Sequence, residues 1–223
     1  MAKRTLLKVQ DRQELFDIPA DEDSLIRHYS LSPADRLEIE LRRRKHNQIG
    51  FAVQLCLMRY PGRPLMPNET PPGAMLNYVA EQIGADPASF GLYARREETR
   101  MNHVAHLLDY LGMRGPTAED RRAALLAAIE AAAATDKGAT IATAIITTFR
   151  ERRVLLPAAN MIERMGLAAR AIARRQAEAA LITDLDPETL GTLDGLLAVD
   201  PAIGQTRYHW LRSAPEAPGA GNL

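Results

Sequence analysis

The chain is poor in several things, and each shortage narrows what it can be. It has one cysteine, Cys56, so neither an internal disulfide nor a thiolate metal cluster can form within it. Aromatic residues make up only 5% of it, which together with abundant alanine and leucine favours helices over a sandwich or barrel. No apolar run approaches a signal peptide or a membrane span, since the opening Met1-Ala2-Lys3-Arg4-Thr5 is followed only by Leu6 and Leu7. A reducing, cytoplasmic setting is the expectation. A phosphate-binding glycine loop is missing, so no cofactor is expected. Lysine is scarce as well: of 28 basic residues, 24 are arginine and four are lysine.

Net charge is also lacking. The 28 bases meet 28 acids, which taken alone argues against a partner of strong opposite charge, but the charges are segregated. Residues 31–63 hold seven bases and three acids, residues 141–180 hold seven arginines and three acids, and residues 181–223 reverse to two bases and six acids. A neutral total can therefore hide basic faces. Arginine suits planar, bidentate phosphate and base contacts, although genomic base composition accounts for the same bias.

What is present is helix punctuation. Ser32-Pro33, Asp86-Pro87, Asp186-Pro187 and Asp200-Pro201 each set a capping side chain before a proline at the first helical position. Thr117-Ala118-Glu119-Asp120 resembles a capping box. Stops are expected at Pro61-Gly62, Gly84, Gly112 and Gly138. Between them apolar spacing is helical: Ile49, Val53, Cys56, Leu57 and Tyr60 form one stripe, Val104, Leu107, Leu108 and Leu111 another. Leu125, Ala128, Ile129 and Ala132 form a third, and Met161, Met165, Ala168, Ala169 and Ile172 continue the pattern. The reading is an all-α, multi-helical protein of eight or nine short helices, with Cys56 in its core. Five prolines in 61–72 predict a stiff surface loop. Thr135-Asp136-Lys137-Gly138 reads as a second connector; the two helical units are placed at 1–116 and 117–212, and 213–223 is expected to be a fraying tail.

Three arginine-rich places could carry chemistry. Arg42, Arg43, Arg44 and Lys45 stand at a predicted helix end, with Asn47 set to cap the next helix. Basic side chains and a helix N-terminus both attract phosphate, and a solvated basic helix end accounts for the same residues. Arg96, Arg100 and His103 fall at i, i+4 and i+7, so they share one helical face, with Thr99 and Asn102 beside it. The apolar stripe is rotated from that face by roughly 60°, leaving open a recognition helix in a major groove or pairing with Glu97 and Glu98. Arg150, Arg152 and Arg153, then Arg164, Arg170, Arg174 and Arg175, form the second basic region. His103, His106 and Asp109 do not match a zincin pattern, and no metal site is expected.

Three segments together are similar to the N-terminal region of transposases of the Tn-three family, the class II replicative transposons. The first runs Arg42-Arg43-Arg44-Lys45-His46-Asn47-Gln48-Ile49-Gly50-Phe51-Ala52-Val53-Gln54-Leu55-Cys56-Leu57-Met58-Arg59-Tyr60-Pro61-Gly62-Arg63. The second is Tyr93-Ala94-Arg95-Arg96 with Thr99, Arg100, His103 and Leu111-Gly112; the third is Arg152-Arg153-Val154-Leu155-Leu156-Pro157 with Ile162-Glu163-Arg164. Trp210-Leu211-Arg212 also fits. Gln48 replaces an expected arginine and Met113 an expected phenylalanine.

The resemblance implies tandem helix-turn-helix-like units that bind double-stranded DNA at the transposon's terminal inverted repeats. The residues it points to are Arg42, Arg43, Arg44, Lys45, Asn47, Arg63, Arg96, Thr99, Arg100, His103, Arg152, Arg153 and Arg164. Family members are several times longer and carry an acidic catalytic triad beyond the stretch matched here, so this chain is expected to bind rather than cut. A catalytic domain or a second copy would be its further partner, and the bacterial nucleoid its location when bound. The rivals are a helical interaction or regulatory module of a mobile element, and a small helical enzyme for which no acid, base and nucleophile converge.

Overall fold

The computed structural model describes residues 5–66, 69–93, 97–202 and 204–213. Arg96 and the expected tail beyond Ser213 lie outside these. The described part is all-α. Its helices are α1 (Val9–Phe16), α2 (Glu22–Tyr29), α3 (Pro33–Glu40), α4 (Lys45–Arg59), α5 (Gly73–Gln82), α6 (Glu97–Leu111), α7 (Ala118–Ala134), α8 (Gly138–Glu151), α9 (Ala159–Thr183), α10 (Pro187–Leu197) and α11 (Arg207–Arg212), with a 3-10 helix at Pro87–Leu92. A two-residue antiparallel pair, β1 (Val199–Asp200) and β2 (Gln205–Thr206), interrupts them.

Most starts follow from local hydrogen bonding. In α3 the Asp35 N–H donates to Ser32 Oγ at 3.2 Å while the Ser32 N–H donates to Asp35 Oδ2 at 2.7 Å. In α7 Thr117 and Asp120 do the same at 3.3 and 2.9 Å. These reciprocal pairs satisfy helix N-terminal donors that would otherwise be orphaned. Asp186 caps α10 by accepting from the Thr189 N–H at 2.9 Å. Two expected signals do other work. Asp200 accepts from the Ala202 N–H at 2.8 Å and shapes the turn between β1 and β2 rather than opening a helix. Gly138 is the first residue of α8, not a stop, because α7 already ends at Ala134.

Contacts divide the chain between Arg174 and Arg175. The first unit holds two apolar cores. In one, α4 is buried on every side from Ile49 to Met58, so its expected single stripe is instead a central helix. Leu25 and Tyr29 of α2, Ile39 of α3, Met75 and Val79 of α5, and Leu107 of α6 pack around it. The proline loop does not simply lie on the surface: Leu65 is buried and its N–H donates to the buried Gln54 Oε1 at 2.9 Å.

The other core is a helical hairpin. Ala124 and Ala128 of α7 face Ile141, Ile145, Ile146 and Phe149 of α8, the small residues letting the backbones approach. The buried face of α9 is Ile162, Gly166, Ala169 and Ala173, with Met161 exposed, one position round from the expected stripe. Leu6, Leu7 and Phe16 also belong here. The segment that carries Leu6 and Leu7 therefore packs with the second core, and the expected division near residue 116 falls between two cores of one unit. The unit from Arg175 onward contains the end of α9, α10, the strand pair and α11, and Leu193, Leu197, Val199, Trp210 and Leu211 are all exposed.

Candidate nucleic-acid interface

The link between α3 and α4 sorts its four basic residues. Gln48 Nε2 donates to the Arg42 carbonyl at 2.8 Å, tying the loop to the first turns of α4. The Arg42 guanidinium turns inward, 4.5 Å from the centre of the Phe51 ring and 4.0 Å from Glu38. Arg43, Arg44 and Lys45 are exposed and, among the described residues, make no side-chain hydrogen bond or ion pair. Arg44 is the N-cap of α4, and no side chain bonds the first-turn N–H groups. Asn47 is thus the third residue of the helix, not its cap. With no acid in that first turn, the positive end of a 15-residue helix dipole adds to the three cations. Beside it lies a cleft of about 340 Å³ lined by Arg36, Ile39, Glu40, Lys45, Gln48, Gln82 and Ile83. Arg36 is exposed and unpaired among the described residues; sequence reasoning passed over it, because only tertiary packing brings it beside Lys45.

Helix α6 presents the opposite face from the one expected. His103 is 7% exposed, its ring stacked on Tyr93 and edge-on to Phe51, with Nδ1 3.2 Å from the Tyr93 hydroxyl. Arg100 is half-buried, donating to the Leu65 carbonyl at 3.4 Å and to Glu97 at 3.1 Å. Thr99 is half-buried as well. The exposed side carries Glu97, Glu98, Met101, Asn102 and Asp109, which repels phosphate. Of the two readings open for the residues at i, i+4 and i+7, pairing with Glu97 holds for Arg100, while His103 turns into the core against Tyr93 and Phe51.

Burial, then the charges of Arg42 and His106, pushes the His103 pKa down to about 4. As pH falls through the ordinary histidine value of 6.5, the unfolded chain protonates first, so this residue withdraws stability below about pH 6.5. The imidazole of His103 should show no titration between pH 5 and 8 in histidine-selective NMR. A midpoint near 6.5 would mean that α6 exposes this face in solution.

Other expected residues are also engaged internally. Arg63 forms a two-pronged pair with Glu69, both distances 2.7 Å. Arg152 donates from Nε to Asp120 at 2.7 Å and from Nη2 to Glu119 at 2.9 Å. Asp120 is fully buried and also takes both Nη groups of Arg114 at 2.5 and 2.8 Å; Arg114, Thr117 and Arg152 hold its carboxyl well below the usual carboxylate range. Arg153 and Arg164 remain exposed and unpaired among the described residues. Cys56 is 1% exposed and burial raises its thiol to about 12, so it is packing, not a nucleophile.

A sequence profile described as "Domain of unknown function (DUF4158)" matches residues 6–169, nearly the whole first unit. The chain is 36% identical over 223 residues to the transposase for transposon Tn501 of Pseudomonas aeruginosa, covering 100% of this chain and 23% of that protein. It is 35% identical to the transposase for transposon Tn3926 of Escherichia coli, covering 100% of this chain and 22% of the relative. Over 217 residues it is 29% identical to the transposase for transposon Tn1546 of Enterococcus faecium, 96% of this chain and 22% of that protein. The chain thus spans less than a quarter of the length of these relatives, in their N-terminal part.

Proposed function

Given that this chain belongs to the DUF4158 family and aligns with the N-terminal part of Tn3-family transposases, we propose that it binds the terminal inverted repeats of a replicative transposon. Binding, not strand cleavage, is its share of the work. The observation that carries this reading is the unpaired cationic run Arg43-Arg44-Lys45 at the open N-terminus of α4, with Arg36 across the adjoining cleft. Cations left unpaired at the surface, beside a helix N-terminus that no side chain caps, suit a polyanionic backbone.

Arg153 and Arg164 supply a second contact region. The two regions, one on each apolar core of the first unit, grip one long repeat in separate grooves. Arg42, Arg63, Arg152 and His103 leave the contact set, because each is already held by protein groups. A second reading, an interaction module, rests on the exposed Leu193, Leu197, Trp210 and Leu211.

The test is fluorescence anisotropy of the full chain on a duplex carrying the Tn501 terminal repeat and on a scrambled duplex. Affinity should fall with salt at a slope of about −0.9 per neutralised phosphate. The R43A/R44A/K45A variant should flatten that slope by roughly 2–3 and weaken both duplexes alike. Tight binding that is indifferent to salt, or no binding to either duplex, would sink the DNA reading and leave the interaction module.

A further inference from the structure

Three helices of this protein end in the same way. After α5, the Gly84 N–H donates to the Glu81 carbonyl at 3.2 Å and the Ala85 N–H to the Ala80 carbonyl at 3.0 Å. After α6, the Gly112 N–H donates to Asp109 at 3.1 Å and the Met113 N–H to Leu108 at 2.8 Å. After α8, the Arg153 N–H donates to Arg150 at 3.0 Å and the Val154 N–H to Phe149 at 2.9 Å. This paired pattern requires one residue in the left-handed region just past the helix. Gly84 and Gly112 supply it at φ +57° and +60°; the third position is arginine at φ +53°. An L side chain is strained there, and when a non-glycine residue is accepted, asparagine or aspartate is the usual one.

No side-chain hydrogen bond or ion pair among the described residues accounts for the arginine. Its backbone carbonyl accepts from the Arg114 N–H at 3.1 Å, a bond that any residue could make. Of the three arginines at this helix end, Arg150 donates to the Pro61 carbonyl at 2.9 Å and Arg152 binds Asp120 and Glu119. The Arg153 side chain is exposed and, among the described residues, makes no hydrogen bond or ion pair. Its guanidinium lies beside Gly112, where an added Cβ would stand 3.4 Å away.

We infer that Arg153 is a DNA-backbone contact, a charge kept for a phosphate at a position where glycine would make a more stable protein. Strain persists where the surroundings over-determine it and a function uses it. This inference rests on the DNA reading above.

The test compares wild type, R153G and R153K by thermal melting and by binding to the Tn501-repeat and scrambled duplexes. R153G should melt about 2–4 °C higher. It should bind both duplexes about tenfold more weakly, the loss expected for one charge-assisted hydrogen bond, and its salt slope should flatten by about 0.9. R153K keeps the charge and the strain, so it should melt like wild type and bind within about threefold of it. Unchanged DNA binding by R153G overturns the contact while leaving the DNA reading in place. A lower melting temperature in R153G also overturns it, since the arginine would then be structural. Failure of wild type to bind either duplex removes both.

Discussion

Replacing Asp35 with alanine should lower the melting temperature by roughly 10 °C. Asp35 is fully buried, and its carboxylate takes Arg59 Nη1 and Nη2 at 2.7 and 2.5 Å, the Tyr110 hydroxyl at 2.8 Å and the Ser32 N–H at 2.7 Å. It joins α3, α4 and α6 through one side chain. Removing it strands the Tyr110 hydroxyl and the Ser32 N–H as well as the Arg59 charge, and because Arg59 still reaches solvent the cost is about 3 kcal/mol, the low end for a buried pair. In a chain of this size each kcal/mol is worth about 2–4 °C. Burial works to raise the Asp35 pKa, but the bonds from Arg59, Ser32 and Tyr110 outweigh it and bring the value down to about 2 from 3.8. The folded value lies below the unfolded one, so this stabilisation is complete above about pH 4 and drains away as pH falls towards 2. Acid melts of wild type and D35A should therefore converge in that window. A D35A protein melting within 2 °C of wild type at pH 7 would show that the pair contributes little.

The second large effect concerns a residue with no side chain. Glycine inside a helix is normally a liability of about 1 kcal/mol relative to alanine, so helix propensity alone says that G50A stabilises the protein. Gly50 lies in the buried stretch of α4, and a Cβ there would stand 2.0 Å from Tyr93 Cδ2 and 2.1 Å from Cγ. The tyrosine ring fills the space that a Cβ would take, and its hydroxyl lies 3.2 Å from His103 Nδ1. Alanine must expel the ring, strip the histidine of its partner and open the core, with overpacking alone costing about 1–3 kcal/mol. G50A should melt several degrees below wild type and let His103 titrate nearer pH 6.5. A rise in melting temperature would mean that Tyr93 does not occupy this site.

These two sites also mark where the sequence is legible. Ser32, Thr117 and Asp186 announce their helices correctly because a cap is made within four residues. Gly84 and Gly112 end α5 and α6 for the same reason. Asp200-Pro201 misleads because a capping side chain serves a tight turn equally well. The α9 face is read one position off because Met161 and Met165 outweigh Gly166 in any apolar count, while close packing against Leu6 needs the glycine: a Cβ there would stand 2.2 Å from the Leu6 side chain. The all-α class and the basic run before α4 are plain in the chain. Which arginines are free is not, since Glu69, Asp120 and the Phe51 ring reach Arg63, Arg152 and Arg42 only after folding. An arginine count shows where cations are; the carboxylates and rings around them decide which of them a ligand can meet.

Leu6 has a consequence for how the protein is made. It is translated well ahead of its seat, which Gly138 and Gly166 build by having no Cβ where the Leu6 carbonyl and side chain lie. Residues from the helices of the first core are all translated before that seat exists. A growing chain can thus close its first core early, while the Leu6-Leu7 segment waits, apolar and unhoused, for α8 and α9 to follow. Long-range closures of this kind are slow and leave greasy segments open to misassociation. The vulnerable interval during synthesis is the one between the completion of α6 and the arrival of α9, and the segment at risk is the one that carries Leu6 and Leu7.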